Sequence, residues 1–254
     1  MSDKKFCFGL KKSKTDPTDH IVSFNYEKIE FPSKFSLKDR VKQVYDQLNL
    51  NSCSANATAN FLSLSDKENV LNCNISRLYL YFCTRWIDNN NILPLQDQGA
   101  TLKSVFSALS QYHYVDEVKY PYLIEKVNDV PPKDIFEEGI AVNKCPFVSF
   151  RQIIPSKYSL KYILYKLQQP VLFGMMVYDT FMKLTKENDI LDLPTRHDEL
   201  LGAHAVVICG FDETTDTFEI LNSHGSDFAN NGYFKIKSKY ILDPNLAFEF
   251  YVIN

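Results

Sequence analysis

Four side chains of this sequence have the means for nucleophilic chemistry: the thiol of Cys53, the amides of Gln47 and Asn222, and the imidazole of His204. The stretch VYDQLNLNSCSANATANFL, Val44 to Leu62, begins polar and then settles into small residues at helical spacing, with Cys53 at the seam. A helix that starts there offers the sulfur free backbone N–H groups and the positive end of the helix dipole, and both stabilise a thiolate. The Cys53 N–H can also bind a developing oxyanion, and Gln47, six residues upstream across a loop, can supply a second donor to the same oxygen. The other reading of Cys53 is a small buried hydrophobe in an alanine-rich helix. His204 opens the predicted strand HAVVICGF, where an imidazole facing a cleft is suited to general-base work near neutrality. Taken alone, it reads more readily as a satisfied structural histidine. Asn222 ends the next predicted strand, 18 residues further on, and a hairpin brings the two strand ends together. An asparagine there accepts an imidazole N–H and fixes its tautomer and direction.

The elements that must position these residues follow from periodicity. Residues 52 to about 112 read as helices: one with Ser52 as N-cap running to Leu62 or Leu64, one after Ser76, and one after Thr101 with Leu102, Val105, Phe106 and Leu109 on one face. The segment 113–158 is rich in turns, with Pro121, Pro131, Pro132, Pro146 and Pro155. A helix over Ser159–Gln169 stops before Pro170. Beyond it the period changes to short β-rich runs, VLFGMMV, HAVVICGF, TFEILN, GYFKIK and AFEFYVI, separated by turn signals. A helical half followed by a β half predicts an α+β fold of two lobes with a cleft between them.

Bulk properties narrow the classes. With 254 residues, 45% of them hydrophobic, the chain can bury a large core. Net charge is −3, from 28 basic and 31 acidic residues, and the lysines are scattered, so no nucleic-acid partner is expected. The six cysteines form no CxxC pair and no Cys/His cluster of ligand spacing, so neither a metal nor a cofactor is expected. The polar, lysine-rich N-terminus is no export signal, and the most apolar stretch, Tyr162–Tyr178, is broken by Lys166, Gln168, Gln169 and Pro170. The expectation is a protein without membrane contact in the cytoplasm or another reducing compartment, although export by another route stays open.

Three blocks, YDQLNLNSCSANA, GAHAVVICGFD and LNSHGSDFANNGYFKI, resemble the active-site blocks of the papain/cathepsin family of cysteine peptidases, in the family's order of Gln, Cys, His and Asn. His204 and Asn222 lie 151 and 169 residues beyond Cys53, slightly farther than the family's usual spacing. DQGATLKSVFSAL, residues 97–109, resembles the glycine-containing loop that lines the substrate groove, and KYPY, residues 119–122, the family's Tyr-Pro-Tyr turn. The likeness runs from about residue 33 to the C-terminus. It implies a papain-like two-lobed fold with a helical lobe over about 40–150 and a β-barrel-like lobe over about 151–254.

The resemblance also implies a mechanism. Cys53 and His204 form a thiolate–imidazolium pair, Asn222 orients the imidazole, and the Cys53 N–H and the Gln47 side chain hold the oxyanion during peptide hydrolysis. Asn51, Ser52, Asp97, Gly99, Ala100, Ala203 and His224 are then expected around the bound peptide. A glycine at 99 lets substrate backbone approach closely. Leu242–Ala247 and Ala203 are expected to shape the pocket for the substrate's second side chain. The departures are Asn51-Ser52-Cys53-Ser54 at the nucleophile, Leu50 where the family has a disulfide cysteine, and His224 where a tryptophan usually shields the Asn–His bond. His224 is expected to stand towards solvent and leave a wetter triad, with a second titrating group as the other reading.

The expected partner is a peptide or protein substrate. The expected activity is that of an endopeptidase, since no insertion resembles an occluding loop, and its expected form is a latent precursor. Two other classes share these residues: an acyl transferase or transglutaminase-like enzyme with the same Cys–His–Asn chemistry, and a peptide-binding homologue with a weakened site. Residues 1–32 form an N-terminal extension, too short for the family's helical prosegment but long enough to cross a cleft at roughly 3.3 Å per residue. They are expected to act as a short intramolecular inhibitory arm, with a Cys7–Cys53 mixed disulfide as one conceivable lock. The bland alternative is a surface tail.

Overall fold

The computed structural model describes residues 6–14, 21–22, 26–66, 74–141 and 149–253. In chain order the elements are β1 (Leu10–Lys11), β2 (Ile21–Val22), β3 (Lys34–Ser36), α1 (Cys53–Ser65), α2 (Arg77–Asp88), β4 (Ala100–Thr101), α3 (Leu102–Gln111), α4 (Lys133–Ala141) and β5 (Phe150–Ile153). There follow α5 (Lys157–Tyr165), β6 (Val171–Tyr178), β7 (Ile190–Leu191), β8 (Leu200–Asp212), β9 (Thr217–Leu221), β10 (Tyr233–Lys237), α6 (Ser238–Ile241) and β11 (Ala247–Ile253).

Helix α1 is buried on every side from Cys53 to Leu62. Its small residues Ala55, Ala57 and Ala59 let it lie close against β8 on one side and α2 and α3 on the other. Helices α2 and α3 are capped by the residues at which their predicted stretches begin: Ser76 accepts from the Tyr79 N–H and Thr101 from the Ser104 N–H. Ser52 does occupy the N-cap of α1, but its side chain makes no capping bond. Helix α5 starts two residues before the predicted Ser159, behind a Ser156/Ser159 capping box, and stops at Tyr165, because the chain turns left-handed at Gln168 before Pro170 is reached. The turn-rich reading of 113–158 missed α4 and β5. Pro132 sits one residue before α4, where its missing N–H costs nothing, and its carbonyl accepts the Ile135 and Phe136 N–H groups.

The β half is one mixed sheet in the order β2-β5-β11-β6-β8-β9-β10-β7, with β3 also paired to β8. Strand β8 is its long central member, antiparallel to both β6 and β9. It begins at Leu200, so His204 lies inside the strand, paired with Met175, rather than at its opening. The hairpin β8–β9 brings Asn222, one residue beyond β9, back beside it. The helices α1–α4 and this sheet are the two lobes, and α1 is the seam. Among the described residues, no helix is long and apolar enough to cross a membrane.

Candidate active site

At the seam, the segment 45–47 runs beside 223–225. The Gln47 N–H donates to the Ser223 carbonyl at 2.8 Å and the Gly225 N–H to that of Tyr45 at 2.9 Å. The Ser223 hydroxyl donates to Gln47 Oε1 at 2.7 Å, which turns the Gln47 amide nitrogen towards the cleft. There Nε2 donates to the carbonyls of Leu50, at 2.9 Å, and Cys7, at 3.1 Å. Cys53, the first residue of α1, is fully buried, and the backbone amides of Ala205, Gly9, Ser54 and Cys53 itself surround its sulfur. The Ala205 amide belongs to the residue after His204, so α1 carries the thiol to the part of β8 that holds the imidazole.

His204 Nε2 lies 2.8 Å from Asn222 Oδ1. An amide oxygen only accepts, so Nε2 carries the proton and Nδ1 is left as the ring's basic nitrogen. That Nδ1 is buried and makes no hydrogen bond. Asn222 Nδ2 in turn donates to His224 Nδ1 at 3.0 Å, and the two imidazoles stack with centroids 4.8 Å apart and planes 4° from parallel. His224 is fully buried, which overturns the solvent-facing reading. Phe6, Phe8, Phe181 and Phe228 pack round it, so the Asn222–His204 bond is dry where a wetter one was expected.

The loop expected to line a substrate groove is braced from behind. Asp97 accepts the Asn51 N–H at 3.1 Å and the Tyr81 hydroxyl at 2.6 Å, and its carbonyl accepts Asn51 Nδ2 at 2.9 Å. The Gly99 N–H donates to the Tyr81 oxygen at 3.0 Å. Asn51 and Asp97 therefore hold each other. Ser52 is fully buried and bonded to the Tyr122 hydroxyl at 2.5 Å, so its side chain belongs to this bracing rather than to a surface that a peptide could touch. Tyr122 also donates to the Gln47 carbonyl at 3.0 Å, which gives the Tyr-Pro-Tyr turn its place in the site.

The cleft is filled by the chain's own N-terminal segment. Strand β1 pairs parallel with β4, Leu10 opposite Ala100, and the Ala100 N–H donates to the Gly9 carbonyl at 3.1 Å. On the opposite wall Gly9 bridges to Ala203. Gly99, at φ +75°, has no room for a side chain: a Cβ there would lie 1.7 Å from the Gly9 oxygen. Phe8 meets His204 edge-on at 5.6 Å, and Ser13 donates through its N–H (2.6 Å) and hydroxyl (2.8 Å) to the Glu249 carboxylate. Thus Gly99, Ala100 and Ala203 come together around a peptide, and that peptide is residues 7–11. Leu10 is buried where a Cβ on Gly174 would meet it at 2.7 Å, with Phe248 alongside. No disulfide joins Cys7 to Cys53: the Cys7 thiol donates to the Asn49 carbonyl at 3.1 Å.

Comparison with known proteins fits this geometry. A family model described as papain family cysteine protease matches residues 31–246. The chain belongs to the papain family of cysteine proteases. Among solved structures it is similar to xylellain, a cysteine protease of Xylella fastidiosa, at 26% identity and a TM-score of 0.81, covering 99% of this chain and 97% of that one. It shares its fold with a procathepsin B of Trypanosoma congolense at 17% identity and a TM-score of 0.68, covering 91% and 80%. A peptidase C1-like protein of Acanthamoeba polyphaga mimivirus, itself uncharacterised, is 29% identical over 97% of this chain and 86% of its own length.

In this papain-family site the charges are switched off. Burial pushes the Cys53 thiol up to about 11, although the surrounding amides pull the other way. Burial lowers the His204 imidazole to about 4, against the raising effect of Asn222. A dry cleft favours thiol and neutral imidazole over the ion pair, because neither charge is solvated. No group of three or more His, Cys, Asp or Glu side chains among the described residues is placed to hold a metal.

Three residues that the sequence reading passed over shape the site. Ser223 orients Gln47, and its position beside Asn222 in the third block was the available signal. Arg77 is buried between the rings of Tyr45 and Tyr122, paired with Glu117 at 2.5 Å and donating to Asn56 Oδ1 at 2.9 Å and the Asp46 carbonyl at 3.2 Å. Phe181, fully buried, walls both imidazoles. Nothing local in sequence marks the last two.

Proposed function

We propose that the chain is a latent cysteine endopeptidase in which Cys53 is the nucleophile, His204 the base and acid, Asn222 its orienting partner, and Gln47 with the Cys53 N–H the oxyanion hole. The reaction follows from the site. Once the cleft is hydrated, the proton of Cys53 passes to His204 Nδ1, and the thiolate attacks the peptide carbonyl carbon. The oxyanion takes the Gln47 Nε2 and Cys53 N–H donors. The imidazolium gives its proton to the leaving amine, and water then hydrolyses the thioester with His204 as base. The same groups are held inactive by residues 6–13, which act as an intramolecular inhibitory arm.

The observation that carries this reading is the pair of contacts made by the arm at the reacting groups. The Cys7 carbonyl takes the Gln47 donor that an oxyanion would need, while the Gly9 amide lies at the Cys53 sulfur. A carbonyl at the donor and an amide two residues away at the sulfur are not one scissile bond, so the arm blocks without being positioned for attack. The test is full-length protein against full-length Gly9→Val, assayed on a fluorogenic peptide. Release of activity by Gly9→Val, abolished by adding Cys53→Ser, is the expected result. A folded Gly9→Val protein whose sulfur alkylates readily but which hydrolyses no peptide would end the peptidase reading.

A further inference from the structure

We infer that His224 is a positioning residue for this reaction: as a neutral imidazole it accepts the Asn222 amide proton at Nδ1 and so keeps the amide oxygen turned to His204. This rests on the reading of Cys53 and His204 as nucleophile and base. For Nδ1 of His204 to receive a proton from sulfur, the proton on Nε2 must find an oxygen. Asn222 supplies one only in one of its two amide orientations. The Nδ2 to His224 Nδ1 contact, 3.0 Å, selects that orientation, and the 2.8 Å contact to His204 completes a directed chain from one imidazole to the other.

A proton on His224 Nδ1 breaks the chain twice. It sets an N–H against the amide N–H, and the relief, a flip of the amide, then sets Nδ2 against His204 Nε2–H. It also places two cationic rings face to face at 4.8 Å whenever His204 is imidazolium. The two rings therefore share one proton charge in the working state, and it must reside on His204.

Among the described residues, the titratable groups on the elements packed round His224 include His204 on β8, Cys53 on α1, Cys7 in the arm, Asp46 in the bridged segment, Asp179 and Lys183 beside Phe181, and Asp227 beside Phe228. The Asp46 carboxylate accepts the Leu48 N–H, and Asp179 pairs with Lys183 at the surface. The stacked His204 is the described group whose positive charge directly opposes a proton on His224. A histidine here does what an apolar shield cannot: it holds the amide, and it couples the site to acid.

The test uses the full-length Gly9→Val protein with and without His224→Phe, which keeps an aromatic disc but can neither accept nor titrate. At about pH 7.5 the added change is expected to lower kcat/KM about tenfold, the scale of one lost buried acceptor. The acid limb of the profile is expected to move to lower pH, so that the rate at about pH 5 relative to about pH 7.5 rises several-fold. Profiles of the same shape, differing only in height or not at all, overturn the inference. A second readout needs no activity: nitrogen-15 histidine spectra of the full-length protein near neutrality, with the His224 signals assigned by their loss in His224→Phe. An unprotonated Nδ1 with a protonated Nε2 is expected, and a protonated Nδ1 overturns the inference. Hydrolysis that survives Cys53→Ser would instead defeat the nucleophile assignment on which the inference rests.

Discussion

The arm and the cleft meet at two glycines, and this contact supplies the sharpest prediction. A Cβ on Gly9 would lie 2.3 Å from Asn51 Cβ, 2.5 Å from the Asn51 oxygen and 2.8 Å from its Cα. These atoms cannot retreat easily, because Asn51 is tied to Asp97 through both main chain and side chain. Overpacking a well-filled interior costs about 1–3 kcal/mol, and main-chain overlap puts Gly9→Val at the upper end. Only the docked arm feels that cost. A penalty of about 2–3 kcal/mol therefore raises the population with an open cleft by roughly 30- to 150-fold, at about 1.36 kcal/mol per factor of ten. The assay is peptide hydrolysis by full-length Gly9→Val against wild type, with a thermal melt to confirm that the domain is intact. Alkylation of Cys53, mapped by mass spectrometry, follows cleft opening directly. If the variant melts as a folded protein yet both its hydrolysis and its alkylation match wild type, the arm does not gate the site and the argument from these contacts is wrong.

Other expectations can be checked in the same proteins. In the Gly9→Val background, Gln47→Ala is expected to lower kcat about a hundredfold with the fold intact, the scale of one lost oxyanion donor. Ser223→Ala, which frees the Gln47 amide to rotate, is expected to cost about tenfold in kcat with little change in KM. Thiol alkylation of the wild-type arm-docked protein should be slow at neutrality. A Cys53 thiol pushed up to about 11 leaves a thiolate fraction on the order of one in ten thousand near pH 7, rising about tenfold per unit as pH climbs towards that value. A wild-type rate near neutrality as fast as that of Gly9→Val would contradict the buried, uncharged state. Arg77→Ala removes a buried cation from Glu117, Asn56 and two aromatic faces, and a loss of about 3–5 kcal/mol should lower Tm by about 10 °C in a protein of this size. An unchanged Tm would show that the pair is dispensable.

By itself, the sequence determined the family and the order of its candidate residues along the chain. The small residues after Cys53, the β-rich runs around His204 and Asn222, and the Gln47 upstream are local patterns, and local patterns are what a linear reading can see. They sufficed for the helical half, the β half and the family. The tertiary structure decided what each group faces, because facing depends on residues far apart in sequence. His224 looked like a poor substitute open to water; Phe6 and Phe8 from the arm and Phe181 from a second distant segment join the nearby Phe228 to bury it against His204. Ser52 had the identity and position of a helix cap, yet Tyr122, seventy residues away, claimed its hydroxyl. Helix α4 hid among prolines because one of them stands where a helix can begin. For residues 6–13 a linear reading offered a length sufficient to cross a cleft and the thiol of Cys7, from which an inhibitory arm is expected. Their register in the cleft was decided only when the fold laid a glycine of the arm on a glycine of the groove, since space for a backbone is a property of two surfaces and is written in neither alone.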